Sequence, residues 1–363
     1  MANGVQRGRL LEPLVVDDPV ERLARPRALA RQHLPPDQSQ TIEIAPSVDE
    51  EALDLLGRHV RRLPVNDTAG RHDRLARRRP RDAEVRQQRA IRARLEEDVF
   101  RPDVAVHVPP GFDGTLRPGL VLYFHGWQGC VEAAFSATDV ECGDDGTPRP
   151  SGDLVAQVDA ARINALLVAV EVRPGAPTGE PGQMAMPGGA RALLRELFSE
   201  ELATPLGCTL EPDTLNRIVI VAHSGGYQAA AGILEAGDLP RVSEVDMLDA
   251  LYGGQNIFAR WIADDTLRFD SRVSGKLRFV DLYTCCGGTQ APSRNMVGRV
   301  RDILAPVGLA DGVRDDESDS DLDERDLTAP ALFKRVPRSH ADLPRAYVQP
   351  LLESAGFARI SPP

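Results

Sequence analysis

A chain of 363 residues with 42% hydrophobic content is long enough for one large α/β domain with an appendage. Its formal net charge of -11 argues against non-specific nucleic-acid binding, which needs a basic surface. No run approaches the roughly 18 apolar residues of a membrane-spanning helix, and the first residues lack the apolar core of a signal peptide. The sequence therefore predicts a cytoplasmic protein without a membrane span, with export by another route left open.

The cysteines give no sign of a metal site or of a disulfide framework. There are five, without a C-x-x-C pair, which makes a zinc ribbon unlikely, and their odd number and irregular spacing argue against a disulfide framework. The adjacent Cys285 and Cys286 stand at the end of an apolar run and are predicted to be two buried thiols. The sequence implies no metal and no organic cofactor.

Residues 1–95 differ in composition from the rest and are predicted to form an N-terminal extension, partly disordered or helical. Polar stretches that contain proline favour disorder, while leucines at helical spacing between 47 and 63 favour a helix. Segment 71–94 is dense in arginine. We interpret it as a solvated helical connector, with docking of a partner or an anionic surface as the alternative.

From residue 96 to residue 363 the pattern becomes regular, because apolar runs that end in glycine or proline alternate with helix-like segments. In chain order the predicted strands are DVAVHV, GLVLYF, INALLVAVEV, RIVIVAH, SEVDML and KLRFVDLY, and the clearest helix is ARALLRELFSEEL. This alternation predicts a mainly parallel sheet with helices on both faces. Functional groups gather at the carboxyl ends of the strands in such sheets. The acidic segment 311–326 is predicted to be a flexible solvated loop.

The stretch RIVIVAHSGGYQAAAGIL changes character at one serine. A β-branched run precedes Ser224, and small residues typical of a helix follow it. In a strand–turn–helix elbow the positions two before and two after the serine must be small, and here they are Ala222 and Gly226. The pattern predicts a serine exposed at the top of the sheet. The alternative is a glycine-rich turn in which the serine caps the helix.

Three motifs make residues 100–363 similar to the α/β-hydrolase superfamily. They are HGW after an early strand, AHSGGY after a central strand and a late histidine in SHADLP. The superfamily uses the order serine, acid, histidine along the chain. The resemblance implies that 96–363 is a catalytic domain with Ser224 as its nucleophile. Of seven histidines only His340 follows Ser224, so His340 is the expected general base.

The acid that orients His340 should lie at a strand end between Ser224 and His340. Asp249 ends the strand directly after the elbow helix and stands beside a glycine-rich exit, LDALYGG. Asp281 lies one strand later, where the superfamily most often places its acid, but several residues before that strand ends. Asp249 is favoured, and Asp281 is the alternative.

An oxyanion hole needs two backbone N–H groups directed at the developing negative charge. Gly225, directly after the nucleophile, is expected to supply one, and Trp127 or Gln128 in the loop after YFHG the other. His125, Gln128 and Tyr227 are predicted to line the substrate pocket. The side chain of Trp127 is either part of the pocket wall or a core aromatic.

Together these residues predict a serine hydrolase that cleaves a carboxylic ester through an acyl-enzyme, with a small-molecule or acyl substrate. Peptidase or amidase activity and acyl transfer use the same groups and remain alternatives. A non-catalytic binding protein with this fold is a further alternative, against which the complete set of serine, histidine and acid argues.

Overall fold

The structure is a computed structural model of the chain. It describes residues 40–46, 61–63, 104–142, 146–172, 179, 181–269, 276–285 and 288–360. For 40–46 and 61–63 it describes the backbone alone. Most of the N-terminal extension lies outside the described residues, together with the arginine-rich segment 71–94. Docking of a partner through that segment stays a prediction.

Within these residues the chain forms a ten-stranded main sheet and a two-stranded hairpin. Numbered along the chain, the strands are β1 Gln40–Pro46, β2 Arg61–Leu63, β3 Val104–Val108, β4 Gly119–Phe124, β5 Val140–Glu141, β6 Pro148–Arg149, β7 Ala165–Val170, β8 Ile218–His223, β9 Val242–Leu248, β10 Arg278–Tyr283, β11 Val313–Asp316 and β12 Ala331–Arg335. The main sheet has the order β11-β12-β10-β9-β8-β4-β7-β3-β1-β2, and β5 pairs with β6. All pairings from β11 to β7 are parallel, and only the edge formed by β3, β1 and β2 is antiparallel. The sheet is mainly parallel, as predicted.

Helices fill the connections between these strands. They are α1 Val131–Phe135, α2 Leu154–Ala161, α3 Gly189–Glu196, α4 Ala203–Leu206, α5 Tyr227–Ala236, α6 Gln255–Asp264, α7 Gln290–Leu304, α8 Glu324–Thr328 and α9 Leu343–Ser354. Helix α3 lies in the segment predicted to be helical, and a π-helical turn, Leu197–Glu201, extends it. Among the described helices, none is long and apolar enough to cross a membrane.

Helices cover both faces of the sheet. Successive side chains of a strand point to opposite faces, so both sets are buried. In β4, for example, Leu120, Leu122 and Phe124 pack into one core cluster together with residues of α3, α5, α6 and α7. Val121 and Tyr123 of the same strand pack into a second cluster with α1, α2 and α9. A continuous apolar strand therefore signals helices on both faces, as the sequence predicted.

Contrary to the prediction from cysteine spacing, Cys130 and Cys142 form a disulfide bond. The bond joins the residue in front of α1 to the residue after β5. Cys285 is exposed rather than buried, and Cys286 lies outside the described residues. Disulfides are typical of proteins in oxidising compartments. The cytoplasmic location expected from the sequence stays a prediction.

The acidic segment 311–326 is also built differently from the flexible loop predicted for it. It contains β11 and leads into α8, whose N-cap residue Asp323 accepts a hydrogen bond from the backbone N–H of Asp326 at 2.8 Å. Lys334 of β12 is 1% exposed and forms ion pairs with Asp316 and with Asp326, the latter at 3.2 Å. These carboxylates hold the segment against the edge of the sheet.

Candidate active site

Ser224 lies at the tight turn between β8 and α5. Its φ is 52°, in the left-handed region that residues other than glycine rarely adopt. Ala222 is fully buried, and a Cβ on Gly226 would lie 2.5 Å from the carbonyl oxygen of Phe124. Helix α5 begins at Tyr227 with Gly226 as its N-cap residue, so Ser224 does not cap it. The turn has the geometry of the predicted elbow rather than that of a capping serine.

Gly226→Ala should destabilise the protein by about 1–3 kcal/mol, because the added Cβ meets a backbone oxygen that cannot move aside. Gly298→Ala in α7 is the matched control, since a Cβ there meets no atom within 4 Å. It should leave the melting temperature unchanged or raise it, because alanine favours a helix by about 0.5–1 kcal/mol over glycine. Equal effects of the two substitutions on thermal melts would contradict the tight elbow.

Asp249 and His340 form a hydrogen-bonded pair at the carboxyl edge of the sheet. Asp249 directly follows β9, and His340 follows β12 at the start of a 3₁₀ turn that leads into α9. The Nδ1 of His340 lies 2.7 Å from Oδ2 of Asp249. The side chain of Asp249 is fully buried, whereas that of His340 is 37% exposed. Ser224, at the end of β8, lies on the same edge.

Two threonines after β10 complete the surroundings of Asp249. The hydroxyl of Thr284 donates a hydrogen bond to Oδ2 at 2.7 Å, and the hydroxyl of Thr289 donates one to Oδ1. Burial alone would raise the pKa of Asp249, but the hydrogen bonds from His340, Thr289 and Thr284 outweigh it and lower that pKa. Asp249 is therefore ionised at neutral pH. Neither threonine was predicted from the sequence, where only a position after a strand could have indicated them.

Asp281, the alternative acid, lies inside β10 and does not reach His340. It is fully buried, opposite Met247 of β9 and Phe333 of β12 in the sheet register. Burial raises the pKa of Asp281 to about 8, so its carboxyl group is neutral at pH 7. The structure thus brings Asp249, and not Asp281, to the histidine.

The loop after β4, predicted to supply the second N–H group, passes directly beside Ser224. A Cβ on Gly126 would lie 2.7 Å from Cβ of Ser224. The loop turns back on itself through a hydrogen bond from the N–H of Gly129 to the carbonyl of Gly126 at 3.0 Å, and Gln128 has a φ of 59°. Trp127 is 56% exposed, which excludes its reading as a core aromatic.

His125 lies beneath this loop rather than in the predicted substrate pocket, because it is 5% exposed and both ring nitrogens are engaged. Its Nδ1–H donates to the carbonyl oxygen of Gly126 at 2.8 Å, and its Nε2 lies 3.0 Å from Oε1 of Glu171. Oε2 of Glu171 accepts a hydrogen bond from the backbone N–H of Val131 at 2.9 Å. The His125–Glu171 pair therefore holds both ends of the loop.

Glu171→Gln should lower the free energy of unfolding by about 1–3 kcal/mol at pH 6, the loss expected for a buried hydrogen bond to a charged group. Burial lowers the pKa of His125, but Glu171 and the Gly126 carbonyl outweigh it, and the pKa is raised. A raised pKa means that the ion pair stabilises the fold fully below about pH 6.5 and less as the pH rises through the folded pKa. The difference between the variant and the wild type should therefore narrow with rising pH.

The measurement is chemical denaturation of both proteins from about pH 5 to about pH 9, a range that spans the ordinary histidine pKa. Glu235→Gln is the control, since its ion pair with Arg260 is exposed and should contribute about 0–1 kcal/mol. A gap for Glu171→Gln that does not change with pH would show that the pair does not titrate through His125.

Tyr227 and Tyr252 bring an aromatic pair to the region of the serine. Tyr227, one helical turn beyond Ser224, is half-buried, and its ring centre lies 6.3 Å from that of Tyr252. Tyr252 is 40% exposed in the loop after Asp249. Tyr227 and Gln128 thus lie near the serine edge, and their place in a substrate pocket stays a prediction.

His223, directly before Ser224, contacts the loop that contains His340, called the histidine loop below. Its Nε2 lies 2.9 Å from the carbonyl oxygen of His340, and the centres of the two rings are 4.8 Å apart. No role was predicted for His223 from the sequence.

Neither a family model nor a curated protein matches the chain. Among solved structures, the chain is similar to a mutant feruloyl esterase module from Clostridium thermocellum complexed with sinapinate, at 12% identity and a TM-score of 0.39, over 69% of this chain and 82% of the other. It is also similar to an S-formylglutathione hydrolase from Agrobacterium tumefaciens, at 14% identity and a TM-score of 0.33, over 72% and 90%. A third similar structure is an inhibited esterase B from Lactobacillus rhamnosis, at 11% and 0.35, over 75% and 91%.

These similarities are distant, and the chain's own topology identifies the architecture. A mainly parallel sheet is covered on both faces, and the serine elbow follows a central strand. An acid and a histidine follow later strands on the same edge in the order expected from the sequence. The chain has the α/β-hydrolase fold, which confirms the predicted fold class.

Proposed function

We propose that the protein is a serine hydrolase that cleaves a carboxylic ester through an acyl-enzyme. The observation that carries the proposal is the hydrogen bond between His340 and the ionised Asp249, on the same sheet edge as Ser224 in its elbow. A serine hydroxyl is a weak nucleophile unless a base takes its proton, and a histidine held by a buried carboxylate is such a base.

In the proposed mechanism the hydroxyl of Ser224 attacks the ester carbonyl while Nε2 of His340 takes its proton. Asp249 holds Nδ1–H of His340, which leaves Nε2 free to accept that proton, and it stabilises the imidazolium that forms. The N–H of Gly225 and one N–H from Trp127 or Gln128 stabilise the oxyanion. His340 then protonates the departing alcohol. A water molecule, activated by the same histidine, releases the acid and restores Ser224.

An ester is proposed rather than an amide because an alcohol is a better leaving group than an amine and so demands less of the general acid. Peptidase or amidase activity and acyl transfer require no other groups, and they are distinguished by assay. No cofactor enters the mechanism.

The test is reaction of the wild-type protein with a fluorophosphonate probe, followed by mass spectrometry of the labelled peptide. We expect one label, on Ser224. Hydrolysis of p-nitrophenyl esters and p-nitroanilides, each with and without an added alcohol acceptor, then separates esterase, amidase and transferase activity. A folded wild-type protein that neither reacts with the probe nor hydrolyses any ester would overturn the proposal and favour a non-catalytic binding protein.

A further inference from the structure

Three segments of the candidate site meet at His223. It precedes Ser224 in the chain, and its Nε2 contacts the backbone carbonyl of His340 at 2.9 Å. On its other side, its Nδ1 lies 3.2 Å from the place that a Cβ on Gly126 would occupy. His223 thus touches the nucleophile turn, the histidine loop and the loop beside the serine.

The contact with His340 defines the tautomer of His223. A carbonyl oxygen only accepts hydrogen bonds, so the Nε2 of His223 carries a proton and donates it. Burial, and then the nearby ring of His340, lower the pKa of His223 to about 4. His223 is therefore neutral at ordinary pH, with its single proton on Nε2.

We propose that His223 is a positioning residue whose Nε2–H holds the backbone carbonyl of His340 and so keeps the His340 imidazole in place over Ser224. The inference rests on the proposed roles of Ser224 and His340 and adds a residue that acts through His340.

Two separate tethers hold His340 in this arrangement. Asp249 holds its side chain at Nδ1, and His223 holds its main chain at the carbonyl. The side chain is 37% exposed and belongs to a loop, so the Asp249 bond alone leaves the backbone free to shift. A displacement of about 1 Å in a reacting group can cost up to about 10²-fold in rate.

The neutral state of His223 suits this position. His340 becomes a cation each time it takes the proton of Ser224, and its ring centre lies 4.8 Å from that of His223. A charged His223 would repel that cation and raise its energy. A neutral His223 holds the carbonyl of His340 without this repulsion.

The first test compares His223→Leu with His223→Gln, because glutamine keeps an N–H donor and leucine does not. We expect His223→Leu to lower kcat for p-nitrophenyl acetate by about 10–100-fold with KM nearly unchanged, and His223→Gln to restore most of that loss. His107→Leu is the control, since His107 is a fully buried histidine that is bonded to Asp159 away from the serine. It should lower the melting temperature and leave kcat unchanged.

The second test repeats His223→Leu in a His340→Ala background. If His223 acts through the imidazole of His340, its loss costs nothing more once that imidazole is gone. Equal losses of kcat in both backgrounds would show that His223 only supports the turn, and would overturn the inference. So would a folded His223→Leu with wild-type kcat. Failure of the proposed function is distinct, because the wild-type protein itself would then be inactive.

A third measurement needs no variant and so remains informative if His223→Leu does not fold. In ¹⁵N NMR spectra of the wild-type protein, His223 should remain the Nε2–H tautomer and titrate near pH 4. An Nδ1–H tautomer of the neutral ring would overturn the inference, because Nε2 could then not donate to the carbonyl of His340.

Discussion

Ser224→Ala should abolish ester hydrolysis while leaving the fold intact. Without the hydroxyl no acyl-enzyme forms, and in a serine protease the loss of the nucleophile costs on the order of 10⁶-fold in kcat. The backbone at this position has a φ of 52°, a strain that serine already bears and that alanine does not increase. The hydroxyl does not cap α5, so its removal leaves no helix end without its partner.

The measurements are steady-state kinetics on p-nitrophenyl acetate and thermal melts. Ser243→Ala is the control, because Ser243 is a buried serine of the neighbouring strand β9 whose hydroxyl donates to Ile218 at 3.4 Å. Its kcat should equal that of the wild type. Turnover by a folded Ser224→Ala protein at the wild-type rate would remove Ser224 from the mechanism and leave the fold assignment untouched.

The elbow could be predicted from the sequence because its requirements are local. The β-branched run, the serine and the small residues Ala222 and Gly226 lie within ten positions of one another. The strand that precedes the turn is buried on both faces, so its apolar run is unbroken. The order of the strands depends on the whole chain, and so does the pairing of His340 with one aspartate. The predicted strand ends nevertheless reduced the candidate acids to two, Asp249 and Asp281.

The direction of a side chain across the sheet edge is not visible in the sequence. His125 directly follows β4 and was predicted to line the substrate pocket, whereas His223 ends β8 and no role was predicted for it. In the structure one lies beneath a loop against Glu171, and the other contacts the backbone of His340. Each partner is more than 40 positions away, since Glu171 follows β7 and His340 follows β12, and it is recognisable only once the order of the strands in the sheet is known.

The disulfide and the acidic segment show the same limit. Cys130 and Cys142 are joined because α1 and β5 bring their backbones together, which their spacing alone does not indicate. Segment 311–326 is acidic enough to be read as solvated, but the buried Lys334 of β12 supplies the positive charge that draws its carboxylates onto the sheet. Charge composition predicts exposure only where no buried partner exists.

Asp249→Asn should lower turnover strongly, whereas Asp281→Asn should leave it nearly unchanged, and this difference separates the two candidate acids. Asparagine at position 249 presents an amide to the Nδ1 of His340 and can hold the ring in the wrong tautomer, which costs about 10⁴-fold in turnover in the well-studied chymotrypsin-like triad. It also loses the negative charge that stabilises the imidazolium. Thr284 and Thr289 still surround the side chain, so the fold should be retained.

Asp281 differs because its carboxyl group is already neutral at pH 7, since burial raises its pKa to about 8. An amide of the same size replaces a neutral acid there, so turnover should stay within a few-fold of wild type. A carboxyl group whose pKa is raised on folding destabilises the folded state as the pH rises from about 4, its unfolded pKa, through the folded value. The wild-type protein should therefore lose stability relative to Asp281→Asn as the pH rises towards 8. Kinetics at pH 7 and thermal melts across this pH range decide the assignment. If Asp281→Asn loses turnover while folded and Asp249→Asn does not, the acid that orients His340 lies on β10. The bond between Asp249 and His340 is then structural.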